Sequence, residues 1–215
     1  MNIQFYMIHC KIHTEREENI LHINSLLPNL EIFMGINTLQ NKMDITNKEL
    51  FFKTYDDNYE FINNALSKPG ELGCYLSHQS LLNLIAKGNE HKYSVILEDD
   101  IELNNHFLKK LENIINDVEN INLDWDIIYL GNIGKNHDKQ IVNNIYSINP
   151  NQICCGTHCL LINNKNAKKI YDSNLKIRHA IDHQLKYSID NKIIEGYAIF
   201  PIVCKQNKVF KSNIQ

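Results

Sequence analysis

The strongest constraint on the fold of this 215-residue chain is an alternation of short apolar segments with segments of helical periodicity. Apolar runs at residues 2–8, 93–97 and 125–130 have the length and the residue types of buried strands. Between them, the patterns at 71–87 and 104–118 place apolar side chains on one face of a helix. The alternation predicts an α/β protein with a mostly parallel sheet flanked by helices.

Weaker signals complete the predicted order of elements. A Thr14/Glu17 capping box opens a helix that ends at Pro28. Asn104 or Asn105 is expected to cap the helix that follows them, and Gly131 to end the strand before it. Neither an internal repeat nor a linker interrupts the chain, so we predict a single domain over residues 1–215. The other expected elements are strands at 31–35, 141–148, 159–162 and 193–203, helices near 167–171 and at 180–189, and loops with one or two short helices over 37–68.

The composition narrows the class of partner. The chain carries 22 basic and 25 acidic residues, a net charge of −3, so composition alone offers no basic surface for a nucleic acid. No run approaches the ~20 apolar residues of a membrane span. Residues 1–8 lack the apolar core and cleavage site of a signal peptide, and six cysteines do not make a disulfide framework. We therefore expect a cytoplasmic protein without a membrane span.

An acidic triplet ends the apolar segment 95–97. Glu98, Asp99 and Asp100 follow it directly, and three like charges raise one another's pKa unless a cation is bound. Ligands of open α/β sheets bind beyond the carboxyl ends of strands, and oxygen ligands suit Mg²⁺ or Mn²⁺, which commonly bridge phosphates. The triplet predicts a divalent cation that holds a diphosphate. A solvated acidic turn before a helix is the alternative.

The helix at 71–87 carries two polar residues inside its apolar arc. Ser77 and His78 need hydrogen-bond partners if that face is buried. They are not a nucleophile–base pair, because neighbours on a helix point about 100° apart. They are either satisfied core residues or part of a binding site.

Cysteines and a histidine cluster between residues 154 and 159. Cys154, Cys155, His158 and Cys159 could supply part of a zinc site, but no second Cys/His pair stands at a suitable separation. Buried small thiols are the favoured interpretation.

Asp182 opens the predicted helix at 180–189. An acidic residue at this place is typical of a helix start. The alternative is a carboxylate base that faces the cation site.

Taken in order, these segments resemble glycosyltransferase family 25, the group of lipooligosaccharide and procollagen galactosyltransferases. The resemblance spans residues 5 to about 182, and the helix motif together with the acidic motif makes it specific. The matching segments are 5–8 (FYMI) with Arg16 after it, 70–78 (GELGCYLSH), 96–100 (ILEDD), 125–131 (WDIIYLG), 156–162 (GTHCLLI) with 167–169 (AKK) after it, and 181–182 (ID).

The resemblance implies a GT-A-like, Rossmann-type fold and an inverting transfer of a sugar from a UDP-sugar, typically UDP-galactose. The acceptor is a hydroxyl of a glycan, a lipooligosaccharide or a hydroxylysine-type protein site. The acidic triplet then stands where such enzymes carry a DxD-like motif that binds Mn²⁺ or Mg²⁺. The implied roles are metal binding by Asp100 and Glu98, ribose binding by Asp99 or Glu98, donor positioning by Ser77 and His78, neutralisation of phosphate charge by Arg16, and general base catalysis by Asp182.

Two other functions remain open from the sequence. A protein of the same fold could bind a nucleotide sugar or a glycan without turnover. A UDP-sugar hydrolase or a phosphotransferase could use the same cation site. A binding protein would not turn over the donor, whereas an enzyme would. A hydrolase or a phosphotransferase would not need the sugar acceptor, whereas a glycosyltransferase would.

Overall fold

The computed structural model describes residues 2–38, 60–61, 66, 68–88, 90–133, 137–150, 152 and 155–210. Its strands are β1 (Ile3–His9), β2 (Leu30–Met34), β3 (Glu60–Phe61), β4 (Tyr93–Glu98), β5 (Ile101–Leu103), β6 (Ile127–Ile133), β7 (His137–Val142), β8 (Ile145–Ile148), β9 (Cys155–Asn163), β10 (Lys176–Ile177), β11 (Gly196–Ile199) and β12 (Cys204–Gln206). Its α-helices are α1 (Glu17–Leu26), α2 (Pro69–Ala86), α3 (Phe107–Asn120), α4 (Ala167–Ser173) and α5 (Ile181–Asp190).

The central sheet has eight strands in the order β2-β1-β4-β9-β6-β11-β8-β7. Strand β1 runs parallel to β2 and β4, and β11 runs parallel to β6. Strands β9 and β8 are antiparallel to both of their neighbours. Six of the eight strands therefore share one direction, which confirms the predicted mostly parallel sheet.

Helices cover both faces of this sheet, and each face has its own apolar core. Helices α2, α4 and α5 pack on one face, where Tyr75, Ile170 and Leu185 are buried. Helices α1 and α3 pack on the other face, with Ile23 and Leu111 in the core. The predicted α/β architecture with flanking helices is confirmed. Among the described residues, no helix is both long enough and apolar enough to cross a membrane.

Helix α2 is buried around most of its circumference, as its composition predicts. Leu72, Leu76 and Leu81 all lie in the core between the helix and the sheet. The apolar pattern at 71–87 would also place Leu84 on the buried face, and this expectation is wrong, because the side chain is 43% exposed. It lies with Lys87 on the narrow stripe of the helix that faces solvent.

The predicted helix starts are wrong in detail. Residues 14–16 form a 3₁₀ turn in which Thr14 makes no side-chain cap, and α1 begins after it at Glu17. Neither Asn104 nor Asn105 caps α3. The capping position is His106, and the Asn104 amide instead donates to a distant backbone carbonyl at 2.7 Å. Long-range hydrogen bonding outweighs local capping here.

Several strand boundaries also differ from the sequence prediction. Gly131 lies inside β6, at an irregularity in its pairing with β9, instead of ending the strand. The strand expected at 141–148 is a hairpin of β7 and β8, which turns at Asn143 with a φ of 44°. The strand expected at 193–203 is shorter than predicted, because β11 covers only Gly196–Ile199, and β12 begins after the expected end, at Cys204. Most of the predicted loop region 37–68 lies outside the described residues, apart from its ends and the short strand β3.

A buried carboxylate fastens α4 to the sheet. Asp126 is 1% exposed and accepts hydrogen bonds from Lys169 Nζ at 2.5 Å and from the backbone N–H of Glu195 at 2.7 Å. We expect Asp126→Ala to lower the unfolding free energy by about 2 kcal/mol, because it leaves the partly buried N–H of Glu195 without its acceptor, while Lys169 can turn to solvent. The melting temperature should fall by roughly 4–8 °C in a circular-dichroism melt.

The matched control for this prediction is Asp172→Ala. Asp172 pairs with Lys168 on the exposed side of α4, where ion pairs contribute little. Equal, small changes for both variants would contradict the assigned role of Asp126.

Candidate active site

A cavity opens at the edge of the sheet where β1 and β4 end. Because β9 is antiparallel, its amino end lies at the same edge, beside the end of β4. The first turn after β1, the segment after β2, one face of α2 and the end of β12 complete the wall. Of the predicted site residues, the cavity is lined by Arg16, Ser77, His78, Glu98, Asp99 and Asp100.

Glu98, the last residue of β4, is held as a carboxylate. Its Oε1 accepts a hydrogen bond from Thr157 Oγ1 at 2.7 Å and lies 3.1 Å from His78 Nε2. Burial alone would raise its pKa, but these hydrogen bonds and the charge of His78 lower it to about 2. Glu98 therefore carries a negative charge in the cavity at neutral pH.

Asp99 has both carboxylate oxygens engaged. Oδ1 pairs with Arg16 Nη1, and Oδ2 lies 2.8 Å from Nδ1 of His9, the last residue of β1. The Asn19 amide also donates to the Asp99 carbonyl at 3.0 Å. Through these contacts Asp99 positions the Arg16 guanidinium in the cavity wall. Ribose binding by Asp99 stays a prediction.

Within the acidic triplet, Asp100 is the carboxylate whose charge is least compensated, since Arg16 Nη1 lies as far as 3.7 Å from its Oδ2. It is 6% exposed, its Oδ2 accepts from Gln206 Nε2 at 3.3 Å, and its Oδ1 has no hydrogen-bond partner among the described residues. Burial and the charges of Glu98 and Asp99 raise its pKa from 3.8 to about 7, although Arg16 opposes the shift. A buried, half-satisfied carboxyl beside a fixed carboxylate favours a bound cation or a proton.

This environment predicts a pH-dependent gain in stability for Asp100→Asn. The pKa is raised in the folded protein, so the native state loses stability as the pH rises from about 4 through about 7. Without divalent cations, we expect the substitution to raise the melting temperature by about 3 °C or more near pH 8 and by almost nothing near pH 4. An equal change at both pH values would contradict this account.

Ser77 holds the wall of the cavity through backbone groups. Its hydroxyl donates to the Gly73 carbonyl at 2.6 Å and accepts from the Ile36 N–H at 2.8 Å. The segment after β2 crosses α2 so closely that a Cβ at Gly73 would lie 2.7 Å from the Ile36 oxygen. Ser77 thus positions this segment, and direct contact with a donor stays a prediction.

His158 is enclosed by two glycines. A Cβ at Gly131 would lie 2.4 Å from its Nε2, and a Cβ at Gly156, which has a φ of 94°, would lie 2.9 Å from its Nδ1. Burial lowers the pKa of His158. Cys159, the next residue of β9, faces the core that contains α3. His158 and Cys159, two of the four residues that suggested a zinc site, therefore point apart. The other two, Cys154 and the Cys155 side chain, lie outside the described residues.

Asp182 lies in the first turn of α5, near the cavity but outside its wall. Its Oδ2 accepts from the Gly156 N–H at 3.4 Å, and its Oδ1 from the His183 N–H at 2.8 Å. Burial raises the pKa of Cys74, and so do the charges of Glu98 and Asp182. Asp182 contacts the N–H of Gly156 and the next residue, Thr157, contacts Glu98, so the fold brings Asp182 close to the end of β4.

Three residues of this site were missed by the sequence analysis. His9 and Thr157 lie at strand ends on the cavity edge, and the rule that ligands bind beyond strand ends could have found them. Gln206 comes from β12, which pairs antiparallel to β5. No sequence signal connects it to Asp100.

Comparison with known families gives this geometry a context. The model of a family described as glycosyltransferase family 25 (LPS biosynthesis protein) matches residues 2–185. The chain belongs to glycosyltransferase family 25. It is 39% identical over 88 residues to the probable inactive glycosyltransferase 25 family member 3 of Rattus norvegicus, and 38% identical over 78 residues to procollagen galactosyltransferase 1 of Danio rerio.

The match to the Rattus norvegicus protein covers 40% of the present chain and 14% of that relative. The match to the Danio rerio protein covers 36% of the present chain and 12% of that relative. The chain thus matches a small part of each relative's length. Among solved structures, a 4-diphosphocytidyl-2C-methyl-D-erythritol synthase from Anaerococcus prevotii is similar at a TM-score of 0.49 and 12% identity, covering 100% of this chain and 94% of that one.

Proposed function

We propose that this family 25 chain transfers a sugar, galactose, from a UDP-sugar to an acceptor hydroxyl, with inversion and with the help of Mn²⁺ or Mg²⁺. The observation that carries the proposal is the state of Asp100. Its Oδ1 is buried without a hydrogen-bond partner among the described residues, and it lies beside the ionised Glu98 in a cavity at the strand ends.

The oxygens at the end of β4 fit a hard divalent cation. Glu98 and Asp100 would hold it, and the diphosphate of the donor would supply further oxygens. Bound there, the ion would neutralise the charge that develops on the leaving UDP. Gln206 would keep the Asp100 carboxylate oriented through its amide.

Arg16 is the second source of positive charge for the diphosphate. Its guanidinium is buried in the cavity wall and is fixed by Asp99. A fixed guanidinium suits phosphate oxygens because its donors match them in geometry. His78 fixes Glu98, and Ser77 fixes the segment that forms the opposite wall.

Asp182 is the proposed general base. It would take the proton of the acceptor hydroxyl as that oxygen attacks the anomeric carbon from the face opposite UDP, which inverts the configuration. The names of the matched procollagen galactosyltransferases support galactose as the sugar and a protein as the acceptor, and we propose a hydroxylysine-type site on it. The family description supports a lipooligosaccharide or another glycan. A reducing compartment, the cytoplasm, suits the free thiols of Cys10 and Cys74.

A non-catalytic binding protein of the same fold is the second candidate. It is favoured by the match to family members that are named inactive in Rattus norvegicus and Homo sapiens. Such a protein would bind UDP-sugar and release no UDP. A UDP-sugar hydrolase would release UDP at the same rate with and without an acceptor.

The test is a panel of UDP-sugars with Mn²⁺, in which UDP release is measured with and without glycan and hydroxylysine acceptors. We expect release to depend on the acceptor and to be fastest with UDP-galactose. EDTA should lower the rate at least about tenfold, and excess Mn²⁺ or Mg²⁺ should restore it. Full activity in metal-free buffer would disprove the cation role, and binding without release would favour the second candidate.

A further inference from the structure

A second group of potential metal ligands lies in the same cavity. Cys74, His78 and Glu98 each offer one ligand atom, and these three atoms lie within 4.8 Å of one another. All three residues line the cavity, so a ligand held by them would have one side open to it. The group differs from the acidic triplet because two of its members offer sulfur and nitrogen.

The geometry of α2 brings this group together. Cys74 and His78 are separated by one turn, so they lie on the same face of the helix. That face meets the end of β4, where His78 Nε2 lies 3.1 Å from Glu98 Oε1. His78 is 1% exposed, and its Nδ1 has no hydrogen-bond partner within the described part of the chain. One ring nitrogen of His78 therefore faces Glu98, and the other has no hydrogen-bond partner within the described residues.

The surrounding charge favours a cation at this place. Cys74 lines the same cavity as the carboxyl groups of Glu98 and Asp100. Two carboxyl groups in the wall of one cavity make it a region of negative potential. A divalent cation bound there would offset this potential and would stabilise the thiolate.

We propose that Cys74, His78 and Glu98 form a site for a zinc-class cation, with the fourth position open to the cavity. Thiolate and imidazole ligands select Zn²⁺ or Co²⁺ over Mg²⁺ and Mn²⁺, and three protein ligands with an open position are a known zinc arrangement. On binding, the S–H bond breaks, a bond from sulfur to the metal forms, and the proton leaves to solvent. Four-coordinate zinc needs ligand atoms about 3.5 Å apart. Small rotations of the Cys74, His78 and Glu98 side chains must therefore bring their ligand atoms closer together when the metal binds.

Occupation of this site has a consequence for turnover, and this consequence rests on the proposed function. Glu98 belongs both to the zinc-class site and to the proposed Mn²⁺ or Mg²⁺ site. A zinc ion that holds Glu98 withdraws it from the activating ion, so Zn²⁺ is an inhibitor.

Titration of the metal-free protein with Co²⁺ tests the site without reference to activity. We expect a thiolate-to-cobalt charge-transfer band that Zn²⁺ removes by competition. Cys74→Ser should abolish the band, whereas Cys10→Ser, which alters a thiol of the same cavity outside the group, should keep it. A circular-dichroism melt checks that both variants fold, and His78→Ala, which keeps the thiol, should weaken Co²⁺ binding at least tenfold.

Absence of the band in the wild-type protein, or its persistence in Cys74→Ser, would overturn the site. Activity assays test the inhibition separately. Zn²⁺ should inhibit Mn²⁺-supported UDP release by the wild-type protein and inhibit Cys74→Ser at least tenfold less strongly. A band without inhibition of an active enzyme would overturn the sharing of Glu98. A band in a protein without turnover would uphold the site and count against the proposed function.

Discussion

Asp182→Asn is expected to reduce acceptor-dependent sugar transfer by roughly 10²- to 10⁴-fold, the usual range for the loss of a positioned base. The amide keeps the shape of the side chain, and its oxygen can still accept from the Gly156 N–H. It cannot take up the proton of the acceptor hydroxyl. Affinity for UDP and for Mn²⁺ should stay nearly unchanged, because the base acts on the acceptor. Initial rates and calorimetric titrations of the same preparations separate the two effects.

Asp172→Asn is the matched control for Asp182. It changes an exposed carboxylate on α4 that pairs with Lys168, and its rate should equal that of the wild type. If Asp182→Asn abolishes metal binding instead, Asp182 is a ligand and the base lies elsewhere. If only the melting temperature falls, Asp182 serves the start of α5 alone.

Asp100→Asn is expected to lower the metal-dependent rate by about 10²-fold or more, several kcal/mol of transition-state stabilisation. The substitution removes the charge of a proposed metal ligand and keeps its shape. A higher Mn²⁺ concentration should recover part of the rate if the loss lies in metal affinity. The measurement is UDP release as a function of Mn²⁺ concentration.

Glu102→Gln gives the control for Asp100. Glu102 is an exposed carboxylate on the next strand, where it pairs with Lys205 at 3.2 Å. It should have the rate and the metal dependence of the wild type. A fully active Asp100→Asn protein would show that the triplet is only an acidic turn, and an equal loss in both variants would point to a general electrostatic effect.

The sequence predicts the elements whose periodicity is strong and whose environment is uniform. The sheet, the buried helix α2 and the acidic triplet at the end of β4 are found because each follows from an unbroken local pattern. The starts of α1 and α3 are not found correctly, and at α3 the reason is that a local capping signal competes with a distant partner. The Asn104 amide, for example, binds the Ile202 carbonyl.

Individual contacts of the site are less accessible to sequence analysis. The rule that ligands bind beyond strand ends places Glu98, Asp99 and Asp100 at one edge of the sheet. It does not say which of them would bind a cation and which positions another side chain. Asp99 is engaged by Arg16, whereas Asp100 keeps an oxygen without a hydrogen-bond partner among the described residues. That difference arises from the direction in which each side chain leaves the backbone.

The contacts of the acidic triplet have a consequence for the order in which the protein folds. Asp99 is separated by 83 residues from Arg16, and Asp100 by 106 residues from Gln206. Closing such long loops lowers the entropy of the chain more than forming the local contacts of a helix does. Contacts of this kind therefore form later than helices. The acidic centre should therefore become protected after the helices in a refolding experiment followed by hydrogen exchange. Cation binding would then report on completion of the native state and not on the earlier formation of helices.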